Sequence, residues 1–303
     1  MKVGPLTALC LGDAYGFCHE YAEPEFVARN NDPVKGYVQH PWRPGNKPGH
    51  YSDDGQMSLA IAELLINDTP WEQPLIAQKF VDVFKRDPRQ GYAQHFHKFL
   101  VEIKDGEEFL ARIRPNSDKS GGAMRSPLLG LLPSLRALVG QTRIQCALTH
   151  NTPEGKAAAV VAALALHYFH YDMGDKCDLG EYLDEIVPVG GGFRWATPWD
   201  GRPVGSKGWQ SVHAAVSAVI ACDAMTTVLR TCVAYTGDVD TVAAIACAAA
   251  SRSREIEQDM PERLLEGLED GPYGRTYLQV LDAALLTKYP APTDEESADD
   301  PSE

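Results

Sequence analysis

The sequence predicts an all-α protein folded as a single compact domain of many helices. Three observations carry this. Apolar residues recur at helical spacing through roughly a dozen segments. Runs alternating apolar and polar residues, the mark of strands, are nearly absent. No composition shift marks a boundary and no repeat of about 20 to 50 residues is found, although 303 residues could hold one large domain or two ordinary ones. Apolar residues make up 44% of the chain, enough for a sizeable core. The domain is placed at 1–290. Residues 291–303 are acidic, with Pro and Ser and no apolar anchor, and are expected to be a disordered tail.

The helices follow in order. The first covers Leu6–Phe17; Gly12-Asp13 and Gly16 are expected to interrupt it and to let another segment come close. Cys18-His19-Glu20-Tyr21 leaves it. From Glu23 to His50 the chain is rich in Pro, Gly and Asn without helical period, and is predicted as a long loop, a feature often tied to function. A helix over Gln56–Asn67 puts Met57, Ile61, Leu64 and Leu65 on one face. Helices over Trp71–Lys85 and His95–Ile103 flank a turn at Arg86–Tyr92. A polar loop, Ile113–Gly122, precedes a helix predicted over Ala123–Val139 and a short one over Arg143–His150. Pro153 occupies a favoured first-turn position and opens a long helix through Ala157–Tyr168. Leu179–Val187 is helical, and Pro188–Gly208 is a second long loop. Helices over Trp209–Cys222, Ala224–Ala234, Thr241–Ala250, Pro261–Leu268 and Tyr277–Lys288 complete the set.

A net charge of −14 argues against general nucleic-acid or anionic-membrane binding, which need clustered Lys and Arg. The seven cysteines are scattered, with no C-x-x-C pair, and read as free thiols of a reducing compartment. The start of the chain lacks the features of a signal peptide, and no apolar run reaches about 18 residues. A cytoplasmic monomer is expected.

Two acidic junctions dominate the search for chemistry. Ser52-Asp53-Asp54 precedes one apolar helix, and Gly237-Asp238-Val239-Asp240-Thr241 precedes an alanine-rich one. Capping explains part of this: Asp and Ser are good N-caps, acids suit a helix start, and Asp53 with Gln56 resembles a capping box. Two carboxylates at each of two helix starts exceed what capping needs. If the junctions meet, carboxylates ~4 Å apart repel by about 4 kcal/mol each at an effective dielectric of 20. Protons or cations must offset that. Oxygen donors without Cys or His favour hard ions such as Mg²⁺, Mn²⁺ or Ca²⁺, and two could be held to position a water.

These segments resemble the ADP-ribosylglycohydrolase family, which includes dinitrogenase reductase-activating glycohydrolase. Five motifs occur in the family's order: Gly12-Asp13-Ala14-Tyr15-Gly16, Ser52-Asp53-Asp54, Ser120-Gly121-Gly122-Ala123-Met124-Arg125, Thr149-His150-Asn151-Thr152-Pro153-Glu154 and Gly237-Asp238-Val239-Asp240-Thr241. The resemblance implies an all-α fold with two divalent cations, Mg²⁺ or Mn²⁺. It implies Ser52, Asp53, Asp54, Asp238, Asp240 and Thr241 as ligands. It implies Glu20, with Asp53 and Asp54, in catalysis at the attacking water. The turn Ser120 to Arg125, that is Ser120, Gly121, Gly122, Ala123, Met124 and Arg125, would hold a diphosphate, which glycine amides at a helix start suit independently. His150 would contact ADP-ribose. Ser52 stands where the family has Thr, and Ser120 where it has Asn.

The implied activity is hydrolysis of the glycosidic bond joining ADP-ribose to a protein side chain, arginine first, or to a small acceptor. Its partners would be ADP-ribosylated proteins or small conjugates. A non-catalytic ADP-ribose-binding module and a metal hydrolase for another phosphate or glycoside are the rivals. His95-x-His97 and His167-x-x-His170 read as solvated or packed histidines. Gly201–Gly208 breaks the P-loop spacing.

Overall fold

A computed structural model describes residues 3–292. The expected tail lies outside these from residue 293 onward. Among the described residues there are fifteen α-helices, three short 3₁₀ turns and no strand beyond four isolated bridges. No helix among them is long and apolar enough to cross a membrane. The helices are α1 (Pro5–Phe17), α2 (Pro24–Asn30), α3 (Asp53–Ile66), α4 (Gln73–Arg86), α5 (Gln94–Glu102), α6 (Gly106–Arg112), α7 (Gly121–Met124) and α8 (Leu135–Ala147). They continue with α9 (Pro153–His170), α10 (Leu179–Ile186), α11 (Gly208–Ala221), α12 (Met225–Ala234), α13 (Val239–Ala250), α14 (Glu262–Gly267) and α15 (Arg275–Lys288).

The centre of the molecule is set by helices that are apolar all round. Every residue of α1 and of α13 is buried, and such helices belong inside a large core. Around α13 pack α1, α12, α11 and α9, while α3 and α15 close over α1. The α1–α13 contact depends on missing side chains. A Cβ on Gly12 would stand 2.4 Å from the Ala243 carbonyl oxygen, and one on Gly16 would stand 2.4 Å from Asp240 Cα. Backbone meets backbone there. The two glycines therefore do let another segment come close, but they do not interrupt α1.

This contact supplies a first test. Gly16→Ala forces α1 away from the first turn of α13 at Val239 and Asp240, so overpacking of about 1–3 kcal/mol is expected. Thermal unfolding should register it as a drop of several degrees. An unchanged midpoint would mean that the two helices have slack.

Three predicted segments differ from the structure, and the structure adds one helix. The loop 23–50 contains α2 and a 3₁₀ turn at Pro33–Lys35. Pro24 opens α2, Glu25 lies in its first turn, and buried Val27 anchors it. The helix predicted over 123–139 is broken into α7, a 3₁₀ turn at Pro127–Leu131 and the start of α8. Pro127 and Pro133 cannot donate to a continuing helix. Ser134 then caps α8, accepting from Ala137 N at 3.4 Å, and α8 absorbs the short helix predicted from Arg143. Last, α6 was not predicted; Asp105 caps it by accepting from Glu108 N at 2.8 Å.

Candidate active site

Both acidic junctions open into one cleft of about 660 Å³. At α3, Ser52 is the N-cap, accepting from Asp54 N at 3.3 Å. The expected capping box of Asp53 with Gln56 does not form. Gln56 instead donates to the Val83 and Asp87 carbonyls and accepts from the Tyr92 hydroxyl, because its side chain points into the α3–α4 contact. Asp53 and Asp54 are thereby free to face the cleft.

A residue of α1 sets where this junction sits. Asp13 Oδ2 accepts from both Ser52 N and Gly55 N at 2.8 Å. Asp13 is fully buried, and an Asp in the middle of an apolar helix is the signal that points to such a role.

At α13 the capping account also fails. Asp238 occupies the N-cap position but makes no side-chain cap bond. Its Oδ2 accepts from Ser211 Oγ at 2.9 Å instead. Asp240 Oδ1 accepts from Thr241 N at 2.9 Å. Carboxylate oxygens of Glu20, Asp238 and Asp240 all lie within 4.8 Å of one another, and all three side chains are buried. Glu20 follows directly on α1. Arg43, from the stretch predicted as loop, pairs with Glu20. His40 fixes that approach: its Nε2 meets the Glu20 carbonyl at 2.9 Å, and its Nδ1 accepts from Trp42 N and Arg43 N at 3.1 Å each.

The second long loop has a structural task that its sequence does not announce. Val204 N donates to the Thr236 carbonyl at 2.9 Å, and the Val204 carbonyl accepts from Asp238 N at 3.0 Å. Just beyond, Ser206 O accepts from Ser120 N at 3.1 Å, and Gly208 N donates to Asp118 O at 3.0 Å. Residues 204–208 are thus a strut between the α13 junction and the glycine turn at 120–124. Gly237 sits at φ +88° against it, and a Cβ there would lie 2.0 Å from the Val204 oxygen.

The rest of the cleft is less acidic. Ser120, Gly121 and Met124 of the glycine turn line it together with His150. Gly122 and Ala123 are buried. Arg125 borders the cleft, but its guanidinium is bonded to Gln145, Gly121 and Thr149. Phe96, Phe99 and Ile113 form an apolar end that sequence reading did not single out. His95 also lines the cleft. His167 and His170 lie buried elsewhere, bonded at 3.0 Å to the Gly130 and Tyr289 carbonyls.

Burial raises the proton affinity of these carboxyls, and crowding adds to it at Glu20, Asp53, Asp54 and Asp240. Burial lifts Glu20 to about 7, with Arg43 pulling down and Asp238 pushing up. Burial lifts Asp13 and Asp238 to about 6. Asp53, Asp54 and Asp240 rise well above the usual carboxylate range through burial and their acidic neighbours. Asp54 Oδ2 is buried without a hydrogen-bond partner. An all-oxygen donor set, an orphaned carboxylate oxygen and mutual repulsion fit hard divalent cations.

A pH test follows. A carboxyl whose folded pKa is raised stabilises the fold below its unfolded pKa and loses that contribution as pH rises through the folded value. Histidines such as His150, lowered to about 3 by burial and Arg125, have the opposite sign. They contribute equally with and without an ion, so the difference isolates the cluster. The gain in melting temperature between Mg²⁺ and chelator is expected to grow as pH rises through about 6 to 8, because the ion takes the deprotonated form. A gain that shrinks with pH would contradict a carboxylate site.

The profile of the ADP-ribosylglycohydrolase family matches residues 3–295. This chain belongs to that family. It is 29% identical over 176 residues to ADP-ribosylhydrolase ARH3 of Mus musculus, covering 54% of this chain and 47% of that protein. It is 29% identical over 175 residues to ADP-ribosylhydrolase ARH3 of Homo sapiens, with the same coverage. The chain thus matches about half the length of these curated relatives. A solved structure titled ADP-ribosylglycohydrolase-related protein complex superposes with a TM-score of 0.72 at 20% identity, covering 94% of this chain and 96% of that one. The ADP-ribosylglycohydrolase fold is therefore shared.

Proposed function

We propose that this chain hydrolyses the glycosidic bond joining ADP-ribose to a protein side chain or small acceptor, releasing ADP-ribose. The observation that carries this reading is the meeting of Glu20, Asp238 and Asp240 at the acidic end of a cleft that also holds Asp53 and Asp54. Two divalent cations, Mg²⁺ or Mn²⁺, would be held by Ser52, Asp53 and Asp54 from α3 and by Asp238, Asp240 and Thr241 from α13. When bound they supply charge neutralisation and polarisation of oxygen ligands. Glu20 takes the proton of the attacking water; its raised affinity suits a base working near neutral pH. The surrounding carboxylates stabilise positive charge developing on the ribose. The turn Ser120–Met124 seats the diphosphate, and Arg125 supports the turn from behind through the Gly121 carbonyl. The apolar end at Phe96, Phe99 and Ile113 suits the base.

Arginine linkage is the first reading for the acceptor. Arg43 favours a second one. Its cation meets Glu20 at the cleft, and a cationic guanidino leaving group there meets like charge. An uncharged acceptor, serine or an acetyl ester, avoids that conflict. Release of ADP-ribose from arginine-, serine- and O-acetyl-linked conjugates, with and without EDTA, tests both readings. Turnover of none of the three, or turnover indifferent to EDTA, would sink the proposal in its present form.

A further inference from the structure

The cleft wall holds a hydrogen-bond chain that the proposed reaction does not itself use. Arg125 is 1% exposed. Its Nε donates to Gln145 Oε1 at 2.7 Å and its Nη1 to the Gly121 carbonyl at 2.8 Å. Its Nη2 donates to the Gln145 carbonyl at 3.2 Å and to Thr149 Oγ1 at 2.8 Å. The charge lies over the Phe80 ring, 4.7 Å from its centroid. Arginine has donors only, so the direction of this contact cannot reverse. Thr149 Oγ1 also lies 2.7 Å from His150 Nδ1.

The hydroxyl has one proton. Given to Nδ1, it satisfies every group in the chain. If Nδ1 carried a proton instead, the hydroxyl would accept twice and leave its own proton buried without an acceptor, at the cost of that donor's desolvation. The ring's proton therefore sits on Nε2. His150 lines the cleft, and its Nε2 lies at the glycine turn: a Cβ on Gly121 would be 3.3 Å from it. Burial and Arg125 push the ring's pKa down to about 3, so it stays neutral near pH 7.

We propose that Arg125 and Thr149 form a one-way donor relay that fixes His150 as an Nε2–H donor aimed at a diphosphate oxygen of the ligand over the Ser120–Met124 turn. Arg125 and Thr149 are positioning residues; of the three, His150 alone touches the ligand. The ligand's identity rests on the function proposed above, while the relay does not. The wall demands an acceptor at this point, and a neutral donor meets it equally at pH 6 and pH 8.

The test uses the full chain, labelled with ¹⁵N at histidine. His150→Gln assigns the ring signals, and calorimetry in Mg²⁺ measures ADP-ribose affinity. In the wild-type protein Nε2 is expected to carry the proton and Nδ1 to show an accepted hydrogen bond. Thr149→Val should lose the Nδ1 signature and bind ADP-ribose about 10-fold more weakly, the worth of one well-aligned bond. Thr149→Ser should restore both, which a merely structural threonine would not require. A proton on Nδ1 in the wild type overturns the relay, as does an affinity of Thr149→Val within about twofold of wild type. A wild type that shows the ring signature but binds no ADP-ribose overturns the proposed function and the ligand half of this inference, leaving the relay standing. Should Thr149→Val fail to fold, the wild-type spectrum and Thr149→Ser still decide.

Discussion

In Asp240→Asn protein, release of ADP-ribose is expected to fall by about 10³-fold, the loss of several kcal/mol of charge stabilisation at the proposed cation centre. Asp240 stands where α1 and α13 touch, and its carboxylate meets those of Glu20 and Asp238. The substitution keeps the shape and removes one charge. Its effect on stability should run the other way. Without an ion, burial first and then the neighbouring carboxylates of Glu20, Asp54 and Asp238 hold the proton affinity of Asp240 high. The amide relieves that repulsion, so in chelator the variant should melt no lower than wild type, and Mg²⁺ should raise its melting temperature less. Equal turnover would remove Asp240 from the centre. A collapse of stability in chelator would show that the residue's role is packing.

For Glu20→Gln the expected loss of turnover is about 10²- to 10⁴-fold, the range for a positioned general base, with ADP-ribose binding retained. The amide still fits beside Arg43 but cannot take a proton. Because Arg43 pairs with Glu20, the variant also frees that guanidinium, and KM for conjugates with different acceptors is the place to look for its effect. Full activity would take Glu20 out of the mechanism.

How much of this was legible beforehand differs from residue to residue. Most helices were read within a few positions, because an apolar stripe needs only its own spacing to be seen. The breaks at Pro127 and Pro133 were missed although the prolines were visible, since the apolar spacing runs on through them. The junction residues 52–54 and 238–241 were visible as more acid than capping needs. Asp13 stands in the sequence only as part of the first motif, with no partner assigned, and nothing local marks Ser211 or Arg43. Each acts through a partner far along the chain: Asp13 on residues 52 and 55, Ser211 on 238, Arg43 on 20. No local pattern encodes such pairings. The loop 188–208 carries no local signal for the same reason, since its function as a strut exists only between two segments that fold on either side of it.

The sequence by itself determined the helical class, the acidic helix starts, the glycines at 12 and 16, and the order of five motifs, because propensity, spacing and missing side chains are local properties. Tertiary structure alone decided that the two acidic starts share one cleft, that their acids are freed from capping to face it, and that the Arg125 guanidinium at its border is taken up by Gln145, Gly121 and Thr149. Those outcomes depend on which backbones come together. That is settled by burying α1 and α13 against each other, a balance struck over the whole core rather than within any one segment.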